Sequence, residues 1–401
     1  MKRVVLILTL LASAAPVALA GSTPGVTATT ITIGGTVPIT GPAALFGSVG
    51  RGADAFFKYV NAGGGVNGRK IRYLYLDDEY NPAKTVELTR RLVEQDKVLA
   101  IFNSVGTEHN LAIRDYLNSA KVPQLFVGTG VNKIGDDFKS HPWTIGYLPS
   151  HRGEGAVYGR YIASKLQKAT IAVLYENSDY GKDLTIGLRK GLGKRAGAIV
   201  ATQSYEITDS SIESQLASLK SSGANTLVLN ATPQFAILAY VAAHKLGWRP
   251  QFFVASVNIS PNVMDIIRAS VGKDVNDSIS IAFVKDPTDR VWAKDPVVAL
   301  YRRILRQYAP GAKFVDVYNF YGMAVAFTMV DALKKAGKDL TRKGLLNAAT
   351  HLREANNPFL QPGLVLQTGP KDYWPLEKMR MFRWHAGRWR PLSKALVPVR
   401  P

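Results

Sequence analysis

Val98-Leu99-Ala100-Ile101-Phe102 is a continuous apolar run, the signature of a strand buried on both faces of a parallel sheet. It stops at Asn103-Ser104-Val105-Gly106-Thr107, a cluster of small, cap-forming residues. Leu111, Ile113, Tyr116, Leu117 and Ala120 then recur near helical spacing. A strand that ends in small polar residues and opens a helix aims unpaired N–H groups at the carboxyl edge of the sheet, backed by the positive end of the helix dipole. Open α/β sheets bind ligands at that edge. The pattern suits half of a receptor for a small carboxylate, and it suits equally an ordinary capped βα loop.

The same alternation runs through the chain. Ile31 to Val37 reads as a first strand, followed by a Gly/Pro loop from Pro38 to Gly47 and a helix carrying Ala53, Phe56, Phe57 and Val60 to a stop at Gly63-Gly64-Gly65. Lys70 to Leu76 is a second strand closed by Asp77-Asp78, and Asn81-Pro82 opens the next helix. Strands follow at Gln124 to Val127, with a Gly128-Thr129-Gly130 turn, and at Trp143 to Tyr147. Leu148-Pro149-Ser150 then reads as a crossing point, because alternation starts afresh: a helix from Gly153, strands near Thr170, Ile199, Thr226 and Phe252, and a loop at Glu176 to Gly181. Ser280 to Val284 leads to a second crossing at Lys285-Asp286-Pro287. Helices over 296–308, 315–336 and 342–352 and short strands near Gly363, Met379 and Trp389 complete an α/β chain of two lobes.

Length and composition agree. There are 401 residues, 46% hydrophobic and 20% charged, as in ordinary globular proteins. Lys2 and Arg3, the apolar run Val4 to Leu11 and Ala18-Leu19-Ala20 predict a secretory signal peptide over 1–20. The absence of cysteine excludes disulfides, thiolate metal sites and lipidation at that junction, which points to a soluble periplasmic protein. The formal charge of +20 falls to +18 without Lys2 and Arg3, a balance that draws in anions. Because Lys and Arg are spread along an exported chain, nucleic acid is not an expected partner.

No enzyme motif is found, so no catalytic residue is assigned. The six histidines have no metal-ligand spacing, and neither a metal nor another cofactor is expected. Gly191 to Ala196 matches the dinucleotide fingerprint only formally, lying after a helix and before a strand. What remains is a set of loops after strands. In the first half these offer Phe46, Ser104, Gly106, Thr107, Gly128, Thr129 and Gly130. In the second they offer Tyr180, Ala231 and Ser256. Glycines let backbone N–H groups approach a ligand closely, while Phe46 and Tyr180 would cover its apolar part.

Gly35-x-Val37-x-x-Thr40-Gly41-Pro42, the stretch Asn61 to Lys70, Leu76-Asp77-Asp78-x-x-x-Pro82, Ser178-Asp179-Tyr180-Gly181 and Arg383-Trp384-His385-Ala386-Gly387 resemble the leucine/isoleucine/valine-binding protein family, the periplasmic receptors of ABC importers. The resemblance implies a type I periplasmic-binding-protein fold: two Rossmann-like lobes joined by three crossings, with a ligand cleft between them. The lobes would comprise 27–147 plus 285–356 and 148–284 plus 357–395, the last crossing falling near Asn356 to Gly363. It also implies a non-catalytic monomer that hands a small-molecule carboxylate to an ABC transporter permease. A ligand-sensing regulator or chemoreceptor partner on the same fold is the alternative, and a hydrolase is disfavoured because no nucleophile–base pair is evident. By motif, the ligand carboxylate would meet Ser104, Gly106 or Thr107 and the Gly128-Thr129-Gly130 turn. Amino-acid-binding members place an acidic residue after the strand corresponding to Phe252 to Ala255, and this chain has Ser256-Val257-Asn258 there. Asp77 and Asp78 are the substitutes to be considered for holding an ammonium group.

Overall fold

Asn81-Pro82 shows how the local chemistry works out. In the computed structural model, which describes residues 23–338 and 340–400, the Asn81 side chain accepts the N–H of Ala83 at 2.9 Å and Pro82 opens a helix ending at Glu94. The cap satisfies one orphan donor and the proline removes another. Ser150, Asp295 and Thr341 cap later helices in the same way. The expected signal peptide lies outside the described residues.

The first sheet contains β1 (Thr30–Val37), β2 (Lys70–Asp77), β3 (Ile101–Phe102), β4 (Gln124–Val127) and β5 (Thr144–Gly146), all parallel, in the order β2-β1-β3-β4-β5. Its helices are α1 (Ser48–Ala62), α2 (Pro82–Glu94), α3 (Thr107–Ser119) and the short α4 (Asn132–Asp136). The second lobe repeats the scheme with α5 (His151–Lys165), β6 (Ile171–Glu176), α6 (Asp179–Leu192), β7 (Ile199–Tyr205), α7 (Glu213–Ser221), β8 (Thr226–Asn230), α8 (Pro233–Lys245), β9 (Gln251–Val254), α9 (Pro261–Val271) and β10 (Ile279–Ala282). Its parallel order β7-β6-β8-β9-β10 matches the first sheet, and two antiparallel strands extend it, β13 (Lys378–His385) and β14 (Arg388–Pro391). Each sheet reverses order beside its first strand, where ligands enter such folds. This is the type I periplasmic-binding-protein fold, α/β throughout.

Three further helices, α10 (Pro296–Tyr308), α11 (Val317–Ala336) and α12 (Arg342–Ala349), follow the second sheet. α11 lies on α1 with backbones nearly touching: a methyl group on Gly52 would overlap the Asn319 carbonyl, and one on Gly322 would overlap the Val49 carbonyl. Four glycines do the same between α5 and α6. Gly155 and Gly159 face the carbonyls of Leu184 and Leu188, while Gly187 and Gly191 face those of Arg152 and Ala156. Gly191, the first residue of the apparent dinucleotide fingerprint, is therefore a packing residue.

Two crossings are bonded to each other. Lys285 donates its N–H to the Phe359 carbonyl at 2.9 Å, and Gln361 donates to that of Phe283 at 2.7 Å. The return to the second lobe comes later than the expected Asn356 to Gly363. β11 (Arg353–Glu354) pairs with β12 (Leu366–Gln367), the Tyr373 hydroxyl donates to the Pro142 carbonyl at 3.0 Å, and Trp374 packs over Gly135. Residues 366–374 thus stay on the first lobe, and the chain leaves it just before β13. β15 (Val397–Pro398) adds a short pairing to β13. No helix among the described residues is long and apolar enough to cross a membrane.

Candidate functional site

The carboxyl ends of both sheets face a cavity of about 100 Å³. The first lobe contributes Phe46 after β1, Gly106 and Thr107 after β3, and Gly128 and Thr129 after β4. The second contributes Tyr180 from the first turn of α6, Thr232 after β8 and Ser256 after β9. Among the described residues neither Asp, Glu, Lys nor Arg lines the cavity.

Its polar end is the start of α3. Gly106 sits at φ 112°, and a side chain there would also strike the His109 ring, so only glycine fits. No side chain caps the helix, which leaves its first-turn N–H groups and dipole directed outward. The Thr107 and Thr129 hydroxyls lie 2.6 Å apart, and Thr129 also accepts the N–H of Val131 at 3.2 Å. Of the two hydroxyl protons, one serves the bond between them. The other has no acceptor among the described residues and is free to donate to a bound oxygen.

The rest is aromatic and neutral. Phe46 meets Tyr318 edge-on at 5.2 Å, and Tyr180 meets His151 likewise at 5.0 Å. The Tyr180 hydroxyl donates to the Ala231 carbonyl at 3.2 Å, and that of Tyr318 to Val257 at 2.7 Å. Burial pushes the Tyr80, Tyr180 and Tyr318 phenols well above their ordinary range and lowers His151 to about 3. The imidazole therefore enters the site uncharged, with Nε2 accepting the Gly130 N–H at 3.0 Å.

Three residues expected at the ligand lie behind the wall. Ser104 is wholly buried, and its Oγ accepts the Thr36 N–H at 3.0 Å. Gly130 supports His151 rather than lining the cavity, and Ala231 is buried, its carbonyl taking bonds from Tyr180 and Asn258. Asp77 and Asp78 are equally committed. Asp77 holds the 39–40 loop by bonds from Ile39 and Thr40, while Asp78 is buried and accepts from Tyr80 and Thr85. Ser256 does line the cavity, but its N–H and Oγ both donate to Glu154, at 2.6 and 2.7 Å. Glu154 is buried behind it, its carboxyl raised by burial against the bonds from Ser256 and Tyr158. Sequence reasoning did not single out Tyr80, His151, Tyr318 or Tyr321, and from the loop Asn230 to Pro233 it took Ala231 rather than the neighbouring Thr232 that lines the cavity. Only Tyr318 and Tyr321 carried a signal, two tyrosines three apart at a helix start.

The placement of Ser104 changes what its removal should do. Ser104→Ala leaves the buried Thr36 N–H unpartnered, which costs about 1–3 kcal/mol of stability. Ligand affinity should stay within twofold. Urea denaturation and calorimetric titration separate the two, and a tenfold loss of affinity at unchanged stability would return Ser104 to the ligand.

The lobes touch across the cleft. The Asp179 N–H donates to Glu108 at 2.7 Å, Lys133 pairs with Asp179 at 2.7 Å, and Asn132 donates its N–H to Asp183 at 2.8 Å. Among the described residues no group of three or more His, Cys, Asp or Glu is placed to hold a metal ion.

Comparison with known proteins gives a consistent picture. A family model described as periplasmic binding protein matches residues 30–388. Leu/Ile/Val-binding protein homolog 1 of Brucella abortus (strain 2308) is 24% identical over 320 residues, 77% of this chain and 79% of that one. A branched-chain amino acid ABC transporter protein from Thermus thermophilus, solved with bound valine, superposes with a TM-score of 0.78 at 19% identity, covering 91% of this chain and 95% of its own. An ABC transporter solute-binding protein from R. palustris, solved in complex with 4-hydroxybenzoate, superposes with a TM-score of 0.75 at 17% identity, covering 93% and 98%.

Proposed function

The chain belongs to the periplasmic binding protein family, and on that premise we propose that it is a non-catalytic receptor for a small carboxylate lacking an α-ammonium group, which it hands to an ABC importer. The observation that carries this reading is that, among the described residues, the cavity wall has no acidic side chain. An ammonium group enclosed in a cleft without a counter-charge is strongly disfavoured. Glu154, Asp77 and Asp78 are each bound to protein donors instead.

A carboxylate needs donors, and a neutral site can supply them. The free hydroxyl proton of the Thr107–Thr129 pair and the open N-terminus of α3 provide directed bonds and a favourable dipole. Phe46, Tyr180 and Tyr318 would enclose an apolar or aromatic body. The fold accommodates either kind of ligand, since one structural relative holds valine and another 4-hydroxybenzoate. The surplus of positive charge favours the arrival of an anion.

The test is a thermal-shift panel that pairs branched-chain and aromatic amino acids with their deaminated acids. A true ligand at a hundred times its Kd adds about 2.7 kcal/mol of stability, readily seen as a rise in Tm. The acids should stabilise and the matching amino acids should not. The reverse result would place a counter-charge in the site and refute the reading.

A further inference from the structure

α5 and α6 lie side by side and run in the same direction, Gly155 against Leu184 and Gly159 against Leu188, so their C-termini emerge together. α5 starts at the ligand cavity with His151 and is 15 residues long, which carries its end about 20 Å from its start. Lys165 and Arg189-Lys190 occupy the last turns of the two helices, and Lys168 and Lys194 follow just after them. The Arg195 guanidinium, bonded to the carbonyls of Ile162, Ala163, Leu166 and Gln167, ties the two ends together. Basic residues dispersed in the sequence thus converge in the fold.

A base at a helix C-terminus ordinarily just complements the dipole, and α7, α8 and α9 end the same way. There, however, each base has a partner. Lys220 donates to the Leu246 carbonyl at 2.6 Å, Lys245 pairs with Glu213 at 3.1 Å, His244 bonds Asp274 at 2.6 Å and Arg268 pairs with Asp265 at 3.1 Å. The ends of α5 and α6 have no such provision. Neither 156–170 nor 184–205 contains an Asp or a Glu. Lys165, Lys168, Arg189, Lys190 and Lys194 are all exposed, and among the described residues none of their side chains makes an ion pair or a hydrogen bond. Like charges gathered in this way repel one another unless an anion meets them. Ile186, 48% exposed, stands one turn before Lys190 on the outer face of α6.

We propose that this end of the second lobe docks on an anionic phospholipid surface, the four lysines and Arg189 meeting headgroup phosphates and Ile186 entering the headgroup layer. Clusters of about four to eight Lys and Arg hold proteins to anionic leaflets, and an apolar side chain among them adds to the binding. Four of the five are lysines, mobile point charges that suit a fluid layer of phosphates and that protein interfaces avoid. An acidic protein partner therefore fits this surface less well than a membrane does. Docked by this end, the protein keeps its cleft away from the lipid and open to solvent. The proposal stands whatever the cavity binds.

The probe is vesicles of equal parts phosphatidylglycerol and phosphatidylcholine, sedimented with the full mature chain, with pure phosphatidylcholine vesicles as the neutral reference. The wild type should bind the anionic vesicles, ignore the neutral ones and be released by salt. K165Q/K168Q/R189Q/K190Q/K194Q should weaken binding by at least about tenfold. K168Q/K194Q, confined to positions outside the two helices, should weaken it in the same direction and guards against a folding defect in α5 or α6. R72Q/K139Q/K294Q/R306Q/K343Q removes the same number of charges from exposed positions elsewhere and should bind as the wild type does. A wild type that does not bind overturns the proposal, and so do equal losses in the two five-site variants, because net charge alone would then suffice. A cluster variant that keeps its hold on the vesicles but loses binding to immobilised polyglutamate would assign the surface to an acidic protein and overturns it as well.

Discussion

Gly155→Ala combined with Gly187→Ala should lower the stability of the protein by about 2–4 kcal/mol. Each methyl group would overlap a backbone carbonyl of the facing helix, Leu184 in one case and Arg152 in the other. Backbone has no rotamer by which to yield, so α5 and α6 must move apart and the contacts along them loosen. Overpacking of this kind costs about 1–3 kcal/mol per site, offset by the 0.5–1 kcal/mol that alanine gains over glycine inside a helix. The two losses should fall short of adding, because the first substitution already parts the helices the second would push. Gly197→Ala is the control: no atom lies within 4 Å of its added carbon, so it should be neutral or slightly stabilising. Midpoints of urea denaturation report all three. A double variant within 0.5 kcal/mol of the wild type would mean the helix pair slides without cost.

A difference in acid sensitivity is expected between the wild type and His151→Asn. Burial holds the folded imidazole near 3, against an unfolded value of about 6.5. Below pH 6.5 the unfolded chain takes up a proton that the folded chain refuses, so this residue's contribution is present above 6.5 and lost as pH falls. The slope is about 1.4 kcal/mol per pH unit, or on the order of 3 kcal/mol between pH 6.5 and 4. Glu176 and Glu354 act in the opposite sense. Burial raises each to about 7, so the folded state holds their protons and loses stability as pH rises from 4.5 through 7. Both are common to wild type and variant and cancel in the difference. Asparagine keeps an acceptor for the Gly130 N–H but cannot titrate. The variant should be less stable at pH 7.5, and the two curves should converge on acidification. Parallel curves would show that the imidazole charges freely inside the fold.

Local chemistry was the most legible part of the sequence. The Asn81-Pro82 start and the 296–308 helix came out as read, because capping residues and apolar spacing act over one or two turns. The apolar run 98–102 predicts one strand; the named strand is only Ile101–Phe102, yet the run stays bonded to β1, the Leu99 N–H donating to the Thr32 carbonyl at 2.8 Å and the Gly34 N–H to that of Ala100 at 3.0 Å. The composition of Ser178 to Gly181 predicts a loop. It is the cap and first turn of α6, and this is what points Tyr180 at the cleft.

Side-chain direction was not legible. Ser104 and Thr107 are both small hydroxyl residues after one strand, and nothing in their types says which one faces inward. The backbone decides, since the Thr36 N–H claims Ser104. Tyr318 and Tyr321 reach the cavity from α11, a partner fixed only by long-range packing. The late return of the chain depends on Tyr373 and Trp374 finding α4 and β5, contacts that no local pattern encodes.

The crossing of α1 and α11 also sets a schedule. Asn67, just past the end of α1, bonds the carbonyl of Gly337, 270 residues further along the chain. At 5–20 residues per second, synthesis of that interval takes about 15–50 s. Through all of it the face of α1 that carries Gly52 and Phe56 waits for Asn319, Phe327 and Phe359, whereas Phe57 on the other side already has Tyr73 and Phe102 to pack on. The first lobe can therefore form its sheet early but completes the packing of α1 only when α11 arrives.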